Sequence, residues 1–420
     1  MKKRKNFNGT VGTWMTSELH PSGASYSSPN SNFSSVKLNG LYKNADYMSI
    51  GWFGVDNSNK EQPTLQTSNP YLANQVADAR SQNPDIVLFA LLAYTEEITG
   101  YLKTIINNPK TLTAFATNIA SYLGKNGLDG FDIDWEWPTT NLSQQQCALW
   151  FNALGAAFGS DYYLAISPNT TESLDPTAVN NHVDLINLQI YGGADPVSFA
   201  QYGINPNLLG YGAYFESGQN ALQAYQEFSP GFQYNNQQYQ YNTIINWRID
   251  SSNWFFEQGQ QLLLRQYVSG GPQVVPFNDG AILSVQTTPT LMQSVLIRSG
   301  DVVDAIQTTN QNSNASYVVQ LLQHGGDGGN LNPPITLPGG LLKFSYVTGN
   351  WYGQNVIAQI TINGISYPSS VNPSVSNTQT HQVSAPAGKT IIAFKGAAIY
   401  VTRAGGDFTW VLAQIDAVFG

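Results

Sequence analysis

A parallel (β/α)₈ barrel, the TIM-barrel architecture, followed by an all-β prism or sandwich domain is the fold this sequence predicts. Two observations carry the first half. Eight short, mostly apolar runs alternate with helical stretches up to about Tyr267, the pattern of a parallel sheet covered by helices. One of those runs places three carboxylates at every second position. The third observation is a change of texture: from Ser269 onward the helical spacing disappears, and short β-rich runs punctuated by Gly and Asn take over. The reading is therefore two domains, 1–266 and 267–420.

Composition bounds the rest. A chain of 420 residues suits two domains. Only 11% of residues are charged against 42% hydrophobic, so the bulk is expected to fold and to cover itself with Asn, Gln, Ser, Thr and Tyr. The net charge of −9 argues against nucleic acid and anionic membranes as partners. Cys147 is the single cysteine, which excludes an intrachain disulfide. Four scattered His residues give no metal motif. Met1-Lys2-Lys3-Arg4-Lys5 looks like the start of a signal peptide, but Asn6-Phe7-Asn8-Gly9 follows in place of an apolar region, and no run is long enough to span a membrane. An extracellular protein with an open export route is expected.

Taken in order, Thr10–Trp14 is the first strand. Pro21–Ser35, rich in Ser, Asn, Pro and Gly, is a long loop. Tyr47–Gly54 is the second strand. Tyr71–Ser81 has helical spacing and leads to strand three, Asp85–Leu92. Asn108 caps the next helix with Pro109 in its first turn; Leu112, Phe115, Ile119 and Tyr122 share its face, and Gly124 and Gly127 end it. The acidic strand follows at once. A helix carrying Cys147 and Trp150 comes next, with the thiol buried rather than reactive. Tyr163–Ser167, Val183–Tyr191, Leu208–Tyr214 and Thr243–Ile249 complete the eight strands.

Gly127–Pro138 organises the chain. Strand side chains alternate faces, so Asp132, Asp134 and Glu136 fall on one face and Phe131, Ile133 and Trp135 on the other, toward the helices. A row of confined carboxylates resists joint ionisation, so at least one pKa should rise. Glu136 stands last, just before Pro138, nearest the C-terminal mouth where barrel sites form.

With Asp129, these acids resemble the Asp-x-x-Asp-x-Asp-x-Glu signature of glycoside hydrolase family 18, the chitinases and endo-β-N-acetylglucosaminidases; Gly127, Gly130, Trp135 and Pro138 look like the chitinases. The resemblance implies retaining hydrolysis assisted by the substrate's own acetamido group, an exception to the two-carboxylate scheme. Glu136 is then the acid that protonates the leaving oxygen and later activates water. Asp134 orients the acetamido group and stabilises the oxazolinium ion, and Asp132 holds Asp134 and shares a proton with it. Tyr191 matches the tyrosine that bonds the acetamido group, and Gln189, two residues earlier, is expected on the same strand face. Gly192 replaces the usual Asp after that tyrosine. Trp247 matches the indole flooring the reacting subsite. Asp129, Trp137 and Trp14 are further substrate-binding candidates, and Trp52 and Trp135 join Trp137 and Trp14 as stacking candidates, though Trp135 faces the helices by parity. Strand three departs from the family: Phe89-Ala90-Leu91-Leu92-Ala93-Tyr94 stands where Ser-x-Gly-Gly is usual. Only about thirty residues separate strands seven and eight, which the resemblance reads as an open groove suited to endo cleavage. No metal or organic cofactor is implied.

The second half resembles the jacalin-like lectins over about 150 residues, the size of one domain. The matching fragments are Gly270-Gly271, Phe277-Asn278-Asp279, Ile297-Arg298-Ser299-Gly300, Val303-Asp304-Ala305-Ile306, His324-Gly325-Gly326-Asp327-Gly328-Gly329, Phe394-Lys395-Gly396 and Ile415-Asp416-Ala417-Val418. Strands are expected at Ala281–Val285, Ser294–Ile297, Val302–Ile306, Tyr317–Leu322, Leu341–Val347, Val356–Ile362, Thr390–Phe394 and Ala398–Thr402. Ala397–Leu412 reads as an insertion that separates the last two fragments and disrupts the lectin's sugar loop. The expected partner is chitin or another N-acetylglucosamine glycan, with a cell-surface glycan or protein as a possible partner of 267–420. The rival readings are an endo-β-N-acetylglucosaminidase acting on N-glycan cores and a glycan-binding, toxin-like protein.

Overall fold

The computed structural model describes residues 6–20, 24–28, 31–269, 274–283, 290–312, 318–321, 323–403 and 408–420. Met1–Lys5 and Gly270-Gly271 lie outside the described residues, as do parts of Pro21–Ser35, Ala281–Val285, Tyr317–Leu322 and Ala397–Leu412. The chain divides into two compact units: Met1–Tyr26 with Gly40–Ser269, and Ser27–Asn39 with Gly270–Gly420.

The first unit contains β1 (Thr10–Met15), β2 (Tyr47–Asp56), β3 (Thr64–Thr67), β4 (Val87–Leu92), β5 (Gly130–Trp135), β6 (Tyr163–Pro168), β7 (Leu185–Leu188), β8 (Leu209–Ala213), the hairpin β9 (Phe232–Tyr234) and β10 (Gln237–Tyr239), and β11 (Thr243–Asn246). Eight of these are parallel in the order β1-β11-β8-β7-β6-β5-β4-β2, and β1 pairs with β2 to close the barrel. β3 pairs antiparallel with β2. Alternation along β5 follows the sequence pattern. Phe131, Ile133 and Trp135 are fully buried. The Trp135 ring packs on Phe151 of the helix Gln144–Phe158, 5.7 Å between centroids, and its N–H donates to the Glu172 carbonyl at 3.0 Å. Inside the barrel, Phe7, Tyr47, Phe89 and Tyr163 meet edge to face or tilted at 5.3–6.4 Å and plug the end away from Glu136.

The helices follow their caps. Asn108 accepts from the Lys110 and Thr111 N–H groups and starts Pro109–Lys125, whose Leu112, Phe115 and Ile119 are buried. Cys147 and Trp150 are buried on the following helix. The helix Glu96–Ile106 escaped the sequence reading despite its Thr95 cap and acidic first turn. Three expectations change. The loop Pro21–Ser35 gives way to the helix Asn32–Leu38, started by Ser31, whose hydroxyl accepts from the Ser34 N–H. Strand six ends at Leu188, because Gln189 leaves extended geometry and a 3₁₀ turn, Ile190–Gly192, follows. Strand eight ends at Asn246, whose side chain turns back to accept from the Phe215 N–H and donate to the Arg248 carbonyl.

The second unit is built from antiparallel strands. They are β12 (Val274–Asn278), β13 (Thr290–Ser299), β14 (Val303–Asn312), β15 (Val318–Gln320), β16 (His324–Gly325), β17 (Asn330–Leu331), β18 (Ile335–Thr336), β19 (Lys343–Trp351), β20 (Gln354–Ile362), β21 (Ile365–Tyr367), β22 (Ser376–Ser384), β23 (Ile391–Thr402) and β24 (Phe408–Phe419). Among the described residues they form three sheets: β12-β23-β24, β15-β14-β13-β17 with β16 and β18 attached, and β21-β20-β19-β22. Val302, Trp351, Val356, Val401 and Val411, drawn from all three sheets or their edges, share one core. Ala281–Val285 is not a strand over its described part; Asp279–Leu283 is a short helix with its acid in the first turn. The two strands expected at Thr390–Phe394 and Ala398–Thr402 are one continuous β23. Ala397–Leu412 is accordingly no inserted loop over its described part: both of its arms are ladder-paired, Ala397 with Gln414 and Thr402 with Phe408.

Gly130 is the point where the sequence leaves no room. A Cβ there would stand 2.6 Å from the Phe89 ring and 2.8 Å from the Tyr163 carbonyl oxygen. Neither neighbour can yield, one being backbone and the other part of the aromatic plug. Gly130→Ala should lower stability by about 1–3 kcal/mol through overpacking, read as a reduced urea midpoint with an unchanged m-value. A midpoint equal to the parent's would show that Phe89 repacks freely.

Candidate active site

Asp132 is fully buried inside the barrel. A carboxylate there needs donors in place of water. It has three: Ser49 Oγ at 2.7 Å from β2, Trp14 Nε1 at 3.2 Å from β1 and Ser167 Oγ at 2.9 Å from β6. Burial still pushes its pKa above the ordinary carboxylate value, and the three donors oppose that rise.

Asp134 lies one step nearer the mouth and is also buried. Gln189 Nε2 donates to it at 2.9 Å and to the Ser167 carbonyl at 2.9 Å, so the amide is locked between β6 and the end of β7. Asp134 also shares a hydrogen bond with Glu136. Its pKa stands well above the usual range, first from burial, then from the charges of Glu136 and Asp132. Joint titration of the row was the expected behaviour; the partner of Asp134 differs from the expected one. Asp134 is bonded to Gln189 and Glu136, while Asp132 is taken up by Trp14, Ser49 and Ser167. Glu136 follows the last residue of β5 and is half-buried.

Tyr191 sits on the turn after β7, half-buried, and stacks on Tyr214 with ring centroids 4.7 Å apart. Burial and then the charges of Asp134 and Glu136 hold its hydroxyl well above the ordinary phenol pKa, which places it beside the acids. Gln189 and Tyr191 reach the site from a turn, not from one strand face as expected. Trp247, just beyond β11, joins an aromatic floor: its ring lies 5.5 Å from Trp14 and 5.9 Å from Trp52, and Trp52 lies 6.5 Å from Tyr94. Trp137 is 62% exposed at the mouth.

Two candidates fall elsewhere. Asp129 precedes β5, seven residues before Glu136, or roughly 20 Å along an extended strand. There it pairs with Arg80 and accepts from the Leu88 N–H at 3.0 Å, so it clamps the opposite end of the barrel and touches no ligand at the mouth. Trp14 is 1% exposed, and its indole N–H is committed to Asp132, so it supports the acids from below and cannot stack a sugar on an open face.

Several residues were not anticipated. Ser49 and Ser167 carry no local signal beyond being small hydroxyls in barrel strands. Tyr94 closes the departing strand-three segment, and burial, then Glu136 and Asp134, raise its pKa. Glu216 accepts from Trp247 Nε1 at 3.0 Å and grips Arg248 at both ends, Nε at 3.1 Å and Nη2 at 3.1 Å. Arg248 also donates to Thr16 at 2.9 Å and pairs with Glu18. Nothing in one dimension joins Glu216 to Trp247.

The profile of glycosyl hydrolases family 18 matches residues 25–243, more than half of the chain. The chain belongs to that family. No curated relative matches the sequence of this family 18 protein. Among solved structures it is similar to a family 18 chitinase from Flavobacterium johnsoniae, at 15% identity over 63% of this chain and 94% of that one with a TM-score of 0.44. It is also similar to a class V chitinase from Nicotiana tobaccum, at 13% identity, 62% and 98% coverage and a TM-score of 0.45. A chitinase-like agglutinin from Robinia pseudoacacia aligns at 11% identity, 60% and 99% coverage and a TM-score of 0.45. No described helix is long and apolar enough to cross a membrane.

Glu216→Ala should release Trp247 and leave Arg248 with Glu18 and Thr16. Hydrogen bonds to charged groups are worth about 1.5–3 kcal/mol, and this cluster is only partly exposed. The expected result is a smaller near-ultraviolet dichroic signal from the indoles with the far-ultraviolet spectrum kept. An unchanged near-ultraviolet spectrum would mean that ring packing alone fixes Trp247.

Proposed function

We propose that this protein hydrolyses β-1,4-linked N-acetylglucosamine glycans with retention of configuration, as an endo-acting chitinase. The observation that carries the reading is the graded row of acids. Asp132 is sealed and fully bonded, Asp134 is bonded on one side to Gln189 and on the other to Glu136, and Glu136 alone reaches the open mouth.

The chemistry follows from that gradation. Glu136 is the group placed to protonate a leaving glycosidic oxygen and then to activate water. Asp134 binds a proton more tightly than an ordinary carboxylic acid and shares a hydrogen bond with Glu136. The proton shared between Asp134 and Glu136 passes through Glu136 to the leaving oxygen, which leaves Asp134 an ionised carboxylate facing the developing oxazolinium ion. Gln189 fixes Asp134, and the Tyr191 hydroxyl completes a pocket for the acetamido group. Trp247, with Trp52 and Tyr94 beside it, offers an apolar floor to a distorted sugar. Exposed Trp137 supports a groove open to a long chain, and the span between β8 and β11 holds only a short helix and the β9-β10 hairpin, consistent with cleavage inside a polymer. A jacalin-like β-prism is our reading of the second unit. Its support is the three antiparallel sheets, together with the packing of two lectin-like fragments: His324 stacks on Phe277 at 4.1 Å and bonds to Asp279 at 2.7 Å.

Glu136→Gln keeps the shape and removes the proton. Turnover of chitooligosaccharides should fall at least about 10²–10⁴-fold, with substrate affinity retained; a variant with most of the parent's turnover would remove Glu136 from the acid role. Asp134→Asn should cost about 10²–10³-fold in kcat with a smaller change in KM, since the charge it loses faces the intermediate. In proton NMR the β-anomer should be the first product from the parent enzyme, and α-anomer appearing first would overturn the substrate-assisted scheme. A product profile on chitin oligomers against a high-mannose glycoprotein separates the chitinase from an endo-β-N-acetylglucosaminidase.

A further inference from the structure

The second unit contains a cleft of about 290 Å³ between the β19-β20-β22 sheet and β24. That size lies at the lower edge of small-ligand pockets, roughly 300–1,000 Å³. Its position follows from the ladder. The register of β19 slips against β20 between Val347 and Thr348 and against β22 between Thr348 and Asn350, so the sheet bends away from the core where the cleft opens.

The lining has three parts. Ile357, Ala413 and Ile415 form a buried apolar floor. Tyr346 and His381 sit directly opposite one another in the ladder and stack with ring centroids 4.8 Å apart and planes 18° from parallel, making an aromatic wall. The His381 ring is fixed by Thr348, 3.0 Å from Nε2. The remaining contacts are amides: Asn355, Asn377, Gln379 and Gln414. Among the described residues, no Asp, Glu, Lys or Arg lines the cleft. The charge of Asp416, next to Ile415, is felt by Tyr346, and Lys395 stands 3.4 Å from Asp416.

We propose that this cleft is a binding site for an uncharged saccharide. An anion finds no cation in the lining and meets Asp416 beside it. A purely apolar ligand would strip water from four amides without replacing their hydrogen bonds, which costs affinity. A sugar satisfies both halves at once, its ring C–H face against Tyr346 and His381 and its hydroxyls against the amides. All of the lining lies within the second unit, so the proposal stands apart from the catalytic reading.

The chain has four histidines, so the His381 ring signal can be assigned in isotope-labelled full-length protein by its loss in His381→Gln. The probes are chitotriose, mannotriose and lactose. At least one should shift the His381 signal saturably, and the identity of that one names the sugar. Gln379→Ala, an exposed position, should weaken the shift by about threefold to tenfold. Tyr346→Ala should abolish it, while hydrolysis of soluble chitooligosaccharides stays at the parent rate in both variants. A His381 signal that none of the three sugars moves, or a shift that survives in Gln379→Ala and Tyr346→Ala alike, would overturn the proposal. Loss of hydrolysis in Glu136→Gln leaves the His381 readout untouched, so the two readings fail separately.

Discussion

Asp132 is sealed from bulk solvent, and the barrel is arranged to compensate for that. A lone buried carboxylate is costly, several kcal/mol even after relaxation, and it is tolerated only where fixed dipoles replace solvent. The donors come from β1, β2 and β6, strands far apart in sequence that only a closed barrel brings to one point. Closure through the β1–β2 ladder is therefore a condition of the chemistry as well as of stability. Once Asp132 is satisfied from elsewhere, Asp134 is left to Gln189 and Glu136, and the row acquires a direction, from sealed to open. A set of donors already in place at the moment of reaction avoids reorganisation, which is the main electrostatic advantage a protein has over water.

The aromatic floor depends on a second set of fixed charges. Trp247 lies beyond the ladder of β11, where backbone pairing no longer holds it. Its ring is positioned by edge contacts to Trp14 and Trp52 and by the bond from its N–H to Glu216, which Arg248 anchors in turn. Trp14 belongs to both systems, with its N–H on Asp132 and its ring against Trp247. A displacement of the floor is thereby transmitted to the deepest acid through one side chain.

Period-two alternation was enough to place Asp132, Asp134 and Trp135, because burial on both faces of β5 makes the pattern unambiguous. Gln189, Tyr191 and Trp247, expected on strands, lie just beyond the ladders instead. Their runs stay apolar past the point where the ladder stops, and what stops it is turn geometry at Gln189 and the inward bond of Asn246, neither of which alters hydrophobicity. Asp129 was read by its spacing to Glu136, yet spacing along a strand is also distance, and the residue lands at the wrong end. Trp14 shows a different limit. An indole near a strand end can stack a ligand or donate to a buried acid, and only the position of Asp132 across the barrel decides between them. Ser49, Ser167 and Glu216 act through partners more than thirty residues away in the chain, a relation that local pattern does not contain.

In the second unit the segment Ala397–Leu412, read as an insertion that carries a strand at Ala398–Thr402, is ladder-paired on both described arms. Its described arms extend β23 and β24, and the extended β24 runs on into the segment whose Ala413 and Ile415 floor the cleft. The two sites differ in what they ask of the protein. The barrel's acids must be solvated by the fold at all times, which demands rigid donors on several strands. In the role proposed for the cleft, its amides would exchange water for a sugar's hydroxyls, so a sheet with a register slip suffices. Little stabilisation is gained in such an exchange, and affinity there has to come from the small apolar floor and the Tyr346–His381 wall. In the roles proposed for them, the groove suits a transition state and the cleft suits a weak, reversible hold on a neutral saccharide.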